Sequence, residues 1–171
     1  LGLSNISDSL RKLGSNKVLP PYPSITLGAV DMSPFEIASI YQTFAANGFH
    51  SPLRSVRTVL DSEGSPLKRY ELDVKRETDP AAIALINFVL NRITHAGTAK
   101  GLSQALDMEV AGKTGTSDEL YDSWFAGFSA DRVAVAWVGR DDNAPTGLTG
   151  AQGALPLWRD LMAKLDVRPL R

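Results

Sequence analysis

The sequence predicts an α+β fold on three observations. Helix-period apolar patterns dominate the N-terminal half, three consecutive β-rich segments follow between residues 109 and 139, and one helix-period segment closes the chain. At 171 residues the chain is the size of one domain and long enough to bury a core. No internal repeat, low-complexity tract or linker divides it.

The elements follow in order. Residues 5–13 predict a short helix with Ile6, Leu10 and Leu13 on one face and Gly14 as its stop. Residues 19–24 carry three prolines and predict a loop. The best-marked helix comes next. Ser33 is its N-cap, Pro34 its first helical residue, and Glu36 completes a capping box. Ile37, Ile40, Tyr41 and Phe44 recur at helical spacing and are expected to pack in the core, and Asn47-Gly48 ends the run. Segments 54–60 and 67–72 flank Asp-Ser-Glu-Gly-Ser and predict a peripheral hairpin, because both carry several charges. Asp79-Pro80 opens another helix, with Ile83, Ile86, Leu90 and Ile93 at helical spacing and Gly97 closing it. Residues 109–116, 123–129 and 132–139 predict three consecutive strands. The last is nearly all apolar, as expected of a strand buried on both faces. Ser129-Ala130-Asp131 is short enough to be a hairpin turn. A final helix over 155–165 would place Leu157, Trp158, Leu161, Met162 and Leu165 on one side.

Composition narrows the function classes. A net charge of −1 gives no global field toward nucleic acid or an anionic membrane, so no nucleic-acid partner is expected. There are no cysteines, which excludes a disulfide scaffold and a thiolate zinc site and leaves the redox compartment open. His50 and His95 lie far apart with no carboxylate at ligand spacing, so neither a metal nor a cofactor is expected. Asp141-Asp142-Asn143 lacks the spacing of a calcium loop and reads as a solvated turn. The apolar run at 81–90 contains Asn87 and falls far short of the ~20 residues that span a bilayer. No signal peptide opens the sequence, and Leu1-Gly2-Leu3-Ser4 reads like the middle of a fold; any membrane address is expected outside this chain.

The chemistry-bearing motif is Lys113-Thr114-Gly115-Thr116, in the first of the three predicted strands. A lysine supplies a positive charge for a substrate carboxylate and electrostatic help to a nearby serine. Two threonine hydroxyls can bind the same carboxylate. A glycine lets an extended ligand approach the backbone and pair with the strand edge. The Thr116 amide can face a developing oxyanion. Alone, the tetrad equally fits an exposed lysine beside a turn glycine. Its surroundings add specificity: 122–127 (Asp-Ser-Trp-Phe-Ala-Gly), 137–141 (Trp-Val-Gly-Arg-Asp), 95–99 (His-Ala-Gly-Thr-Ala) and 34–38 (Pro-Phe-Glu-Ile-Ala).

Taken together these segments resemble the C-terminal part of the transpeptidase domain of class A penicillin-binding proteins, most like the 1b type of Gram-negative bacteria. The resemblance runs over nearly the whole of residues 1–171, and the tetrad by itself also fits a serine β-lactamase. It implies a penicillin-binding/β-lactamase-like transpeptidase fold, present in part, and a mechanism in which a serine attacks the D-Ala-D-Ala end of a peptidoglycan stem peptide. By motif match it implies Lys113 as the catalytic cleft lysine, Thr114 and Thr116 as carboxylate binders, Thr116 also as the oxyanion-hole amide, and Gly115 as the close-approach residue. It further implies β-lactam antibiotics as ligands that trap the serine, and the periplasmic side of the bacterial inner membrane as location. An outer-membrane lipoprotein activator is a further implied partner.

Two elements of the resemblance have no good match. Ser9-Leu10-Arg11-Lys12 is formally Ser-x-x-Lys, but it sits in a short polar segment, and a four-residue pattern with two free positions arises easily by chance. Ser4-Asn5 and Ser15-Asn16 are adjacent pairs, not Ser-x-Asn. The serine, its lysine and the Ser-x-Asn are therefore expected in sequence preceding this chain. Competing readings are a serine β-lactamase-like hydrolase and a non-catalytic binding module of the same fold. Trp124 and Trp137 are expected in the core, Asp122 is given no catalytic part, and Asp118, Glu119 and Tyr121 are placed in a loop beside the tetrad.

Overall fold

The computed structural model describes residues 2–20 and 22–170; Leu1, Pro21 and Arg171, the second of these within the loop expected at 19–24, lie outside the described residues. Helix α1 spans Leu3–Lys12 and stops at Gly14, whose φ of 101° is open to glycine. A 3-10 turn at Pro23–Leu27 follows. Helix α2 covers Pro34–Ala45 and has the expected capping box: the Ser33 hydroxyl accepts from the Glu36 amide at 3.3 Å, and the Glu36 carboxylate accepts from the Ser33 amide at 2.7 Å. Four short strands come next: β1 Phe49–His50, β2 Thr58–Leu60, β3 Pro66–Arg69 and β4 Lys75–Arg76. β2 and β3 form the expected hairpin, while β1 pairs with β4, two-residue strands too short to show an alternation. Helix α3 spans Pro80–Ala96, opened by Asp79 capping Ala81, and the short helix α4 spans Leu102–Leu106.

The centre of the molecule is a three-stranded antiparallel sheet in the order β5-β6-β7, made of Ala111–Thr116, Ser123–Phe128 and Val133–Val138. Helix α5, Ala154–Lys164, packs across one face. Strand alternation puts Thr114, Thr116, Ser123 and Phe125 on that face. There Phe125 meets the fully buried Trp158 edge-on at 5.0 Å, and the Trp158 indole donates to the Ala134 carbonyl at 2.9 Å. Burying two such rings contributes about 1.5–3 kcal/mol each. Val110, Ala99, Leu102, Ala154 and Met162 complete this core. On the opposite face Ala111 and Phe128 pack against Leu90 of α3 and Tyr41 and Phe44 of α2.

Three expectations are corrected. β7 is half-buried rather than buried on both faces, with Trp137 42% exposed, because among the described residues it is an edge strand with one neighbour. Trp137 is thus not a core residue. On α5 the buried stripe is Ala154, Trp158 and Met162, while Leu157, Leu161 and Leu165 are exposed; the helix has apolar residues on more than one stripe, and the one carrying the Trp158 ring packs on Phe125 of the sheet. Among the described residues, no helix is long and apolar enough to cross a membrane.

Candidate active site

β5 has one neighbour, β6, so its other edge carries no strand among the described residues. α3 packs against β5, and just before the strand begins the Asn91 side-chain amide and the Thr94 hydroxyl of α3 donate to the Val110 carbonyl at 3.0 and 3.3 Å. The chain then leaves α3 at Gly97 and passes the middle of the edge at Thr98.

Lys113 is anchored on the expected strand with its side chain exposed. Its ammonium donates to the Thr114 carbonyl at 2.7 Å, the Thr114 hydroxyl at 3.2 Å and the Thr98 hydroxyl at 3.4 Å. The Thr98 and Thr114 hydroxyls are 2.6 Å apart. Partial desolvation holds Lys113 below the ordinary lysine value, since a less hydrated ammonium gives up its proton more readily. Thr114 is buried, Gly115 half-buried and Thr116 exposed. A Cβ at Gly115 would lie 3.1 Å from the Trp124 Cβ, so a side chain here would crowd the cross-strand neighbour.

The end of β5 is covered from the other side. The Thr116 hydroxyl accepts from the Gly150 amide at 2.9 Å. Gly150 lies so close that a Cβ there would fall 2.5 Å from the Gly115 carbonyl and 2.7 Å from the Trp124 carbonyl. The Ser123 hydroxyl ties the same loop down, donating to the Thr149 carbonyl and accepting from the Ala154 amide, both at 2.9 Å. Asp118–Leu120 is a 3-10 turn beside the tetrad, fastened by the Leu120 carbonyl, which accepts from the Thr146 amide and hydroxyl at 2.8 Å. Trp124 and Trp137 lie ring to ring at 6.0 Å, and the Trp137 indole donates to Asp122 at 2.8 Å. Asp122 therefore holds an indole.

The structure gathers all four tetrad residues on one strand edge. It does not bring Ser9 into any comparable setting: that hydroxyl is exposed on α1 and donates to the Asn5 carbonyl one turn back at 2.7 Å. His50 sits against the Thr43 hydroxyl at 3.1 Å, and His95 against Glu109 at 2.9 Å. Among the described residues, no group of three or more His, Asp or Glu could hold a metal. Asp142 pairs with Arg140 in an exposed turn. Two contacts of the tetrad, Thr98 and Gly150, lie outside the motif. Thr98 belongs to the segment 95–99, and its place after a glycine-terminated helix is the available signal. Gly150 sits in a glycine-containing loop whose spacing marks nothing.

A family model described as the penicillin binding protein transpeptidase domain matches residues 6–162. The chain belongs to that family. Penicillin-binding protein 1B of Vibrio cholerae is 39% identical over 160 residues, covering 92% of this chain and 21% of the relative. Penicillin-binding protein 1B of Escherichia coli is 35% identical over 172 residues, covering 99% and 20%. The chain thus spans about a fifth of the length of these relatives. Among solved structures, penicillin-binding protein 1A of Haemophilus influenzae superposes with a TM-score of 0.88 at 24% identity, over 99% of this chain and 32% of that one. Penicillin-binding protein A of Mycobacterium tuberculosis, solved as an imipenem acyl-enzyme complex, superposes with a TM-score of 0.70 at 19% identity, over 94% and 42%. The mixed helical and antiparallel fold of this transpeptidase-family chain is therefore the one expected, and its likeness to class A proteins of the 1B and 1A types holds.

Proposed function

We propose that residues 1–171 are the C-terminal, tetrad-bearing portion of a D,D-transpeptidase domain that cross-links peptidoglycan stem peptides and is acylated by β-lactams. The observation that carries this reading is the placement of Lys113, Thr114, Gly115 and Thr116 along a strand edge that pairs with no other strand among the described residues, with the ammonium already held there by two threonine hydroxyls. An extended stem peptide can pair with such an edge while its terminal carboxylate meets Lys113 and the hydroxyls of Thr114 and Thr116. Gly115 leaves room for the ligand backbone, and the Thr116 amide faces the carbonyl oxygen as it becomes an oxyanion.

In this reading the nucleophilic serine, its general-base lysine and the Ser-x-Asn lie in the portion of the protein preceding this chain. The serine oxygen bonds to the penultimate D-alanine carbonyl, the amide bond to the last D-alanine breaks, and the serine proton leaves on that amine. An amine of a neighbouring stem then takes the acyl group and frees the serine. Lys113 supplies the positive charge that holds the carboxylate and lowers the energy of both steps. Exposed Leu85, Phe88 and Val89 on α3 support the split, since an apolar helix face of this kind is suited to packing against the remainder of the domain. The imipenem-acylated neighbour supports β-lactams as ligands. Location on the periplasmic side of the inner membrane, anchored by a segment outside this chain, and activation by an outer-membrane lipoprotein belong to the same proposal.

Labelling with a fluorescent penicillin tests it. The full-length protein should take one covalent label, Lys113→Ala should slow labelling by roughly 100-fold, and residues 1–171 alone should take none. Label on Ser9 of the isolated chain would overturn the reading. Rapid turnover of the penicilloyl group, rather than its retention, would point instead to a hydrolase.

A further inference from the structure

We infer that Thr98, on the turn after α3, is a positioning residue for Lys113 and Thr114, setting both the place of the ammonium and the direction of the Thr114 hydroxyl. The inference rests on the acyl-transfer reading above and deepens it.

A lysine ammonium rides on a flexible four-carbon stem and has three protons to place. Two of its acceptors here, the Thr114 carbonyl and hydroxyl, belong to the adjacent residue and move with the strand. The third, the Thr98 hydroxyl at 3.4 Å, comes from a different element and fixes the ammonium relative to something other than its own backbone. The proton count then matters. Both hydroxyls face the ammonium, and they lie 2.6 Å from each other, so one of their two protons is used in that mutual bond. The remaining proton belongs to whichever hydroxyl accepts. When Thr98 donates, the Thr114 proton is the one left for a ligand carboxylate. Thr98 thereby orients a group that the acyl-transfer reading places against substrate.

The turn holding Thr98 is built for fixed placement. The Gly97 amide donates to the Ile93 carbonyl, the Lys100 amide to the Gly97 carbonyl, and the Gly101 amide to the Thr94 carbonyl, each at 3.0 Å. A Cβ at Gly97 would lie 3.0 Å from the Ile93 Cα, so the chain passes tightly over the helix end. Ala99, 1% exposed, pins the next residue in the core. The Thr98 side chain itself is exposed, which separates its hydroxyl from the stability of the fold.

The test uses the full-length protein and a fluorescent penicillin, with encounter affinity and acylation rate measured separately by stopped flow. Thr98→Val should lower the acylation rate divided by the encounter dissociation constant about tenfold, with the melting temperature within about 2 °C. Thr98→Ser, which keeps the hydroxyl, should acylate within about twofold of the parent. In a Thr114→Val background, adding Thr98→Val should slow the reaction by clearly less than the full tenfold, since the shared bond is already gone and only the contact with the ammonium is left to lose. Three results would overturn the inference: Thr98→Val acylating at the parent rate, Thr98→Ser no faster than Thr98→Val, or the full tenfold loss persisting without the Thr114 hydroxyl. Should Thr98→Val melt early, the ratio of the Ser and Val rates below its melting range decides. A parent protein that takes no label overturns the acyl-transfer reading itself, and the inference with it; a labelled parent with an equally fast Val variant overturns only the inference.

Discussion

Every residue of β2 and β3 is exposed, whereas in β6 all but Trp124 are buried, although both regions are antiparallel β-structure. The hairpin is held by its own turn and edges. Asp61 accepts from the Glu63 and Ser65 amides at 2.9 and 2.8 Å, the Arg54 guanidinium donates to the Glu71 carbonyl at 2.8 Å, and Lys68 lies over the Tyr70 ring. Its register slips between Val59 and Leu60, which a hairpin with no buried face tolerates. The central sheet has no such latitude. A Cβ at Gly112 would fall 2.6 Å from the Phe125 ring, and one at Gly127 would fall 2.8 Å from the Ala111 carbonyl and 3.0 Å from the Trp158 indole. The lesson is that the candidate site stands on the part of the chain where packing is tightest. A catalytic edge held to a fraction of an ångström needs a support that does not move.

The contrast makes graded predictions. Trp158→Ala should cost about 3–5 kcal/mol, read from urea unfolding of the full-length protein's transpeptidase domain, because it empties the space under Phe125. A loss below ~1 kcal/mol would mean the sheet is not supported from this face. Gly150→Ala comes next, at about 1–3 kcal/mol. The added methyl meets backbone rather than a flexible side chain, so the loop must lift from Thr116, and penicillin labelling should slow along with the stability loss. Labelling at the parent rate would show that this loop is no part of the site.

A smaller effect is expected from Glu109→Gln. Hydrogen bonds from Asn91 and then His95 hold the Glu109 carboxyl below its ordinary value. A depressed carboxyl contributes stability above its unfolded-state pKa and loses it as the pH falls through the folded one. The parent should therefore lose more stability than the Gln variant between neutral and acid pH, by less than ~1 kcal/mol, since the His95–Glu109 pair is largely solvated. Equal acid sensitivity would remove Glu109 from the account. Smallest of all, Leu67→Ser and Leu72→Ser should shift stability by no more than about 0.5 kcal/mol. A penalty comparable to that of Trp158→Ala in the full-length protein would reveal the hairpin as a docked element and erase the contrast drawn here.

Much of the architecture was legible because its signals are local. The capping box at Ser33 and Glu36, the Asp79-Pro80 start, the stop at Gly97 and the three strands each depend on neighbours a few residues away, and each formed as the spacing predicts. The tetrad and its strand were legible for the same reason. What the residue pattern could not decide was which side of each element would find a partner. The apolar run of β7 looks the same whether it lies mid-sheet or at an edge, and α5 offers more than one apolar stripe. The two contacts that flank the tetrad from distant segments were out of reach as well. Thr98 meets Lys113 across 15 residues, and Gly150 meets Thr116 across 34. A hydrogen bond between residues so far apart in the chain has no signature in either one's neighbourhood; it exists because α3 lies along β5 and because the loop before α5 folds back over the sheet. The amino-acid sequence was sufficient for the elements and for the chemistry of Lys113-Thr114-Gly115-Thr116. Only the packing of distant segments could place the ammonium, the second hydroxyl and the covering glycine around one strand edge.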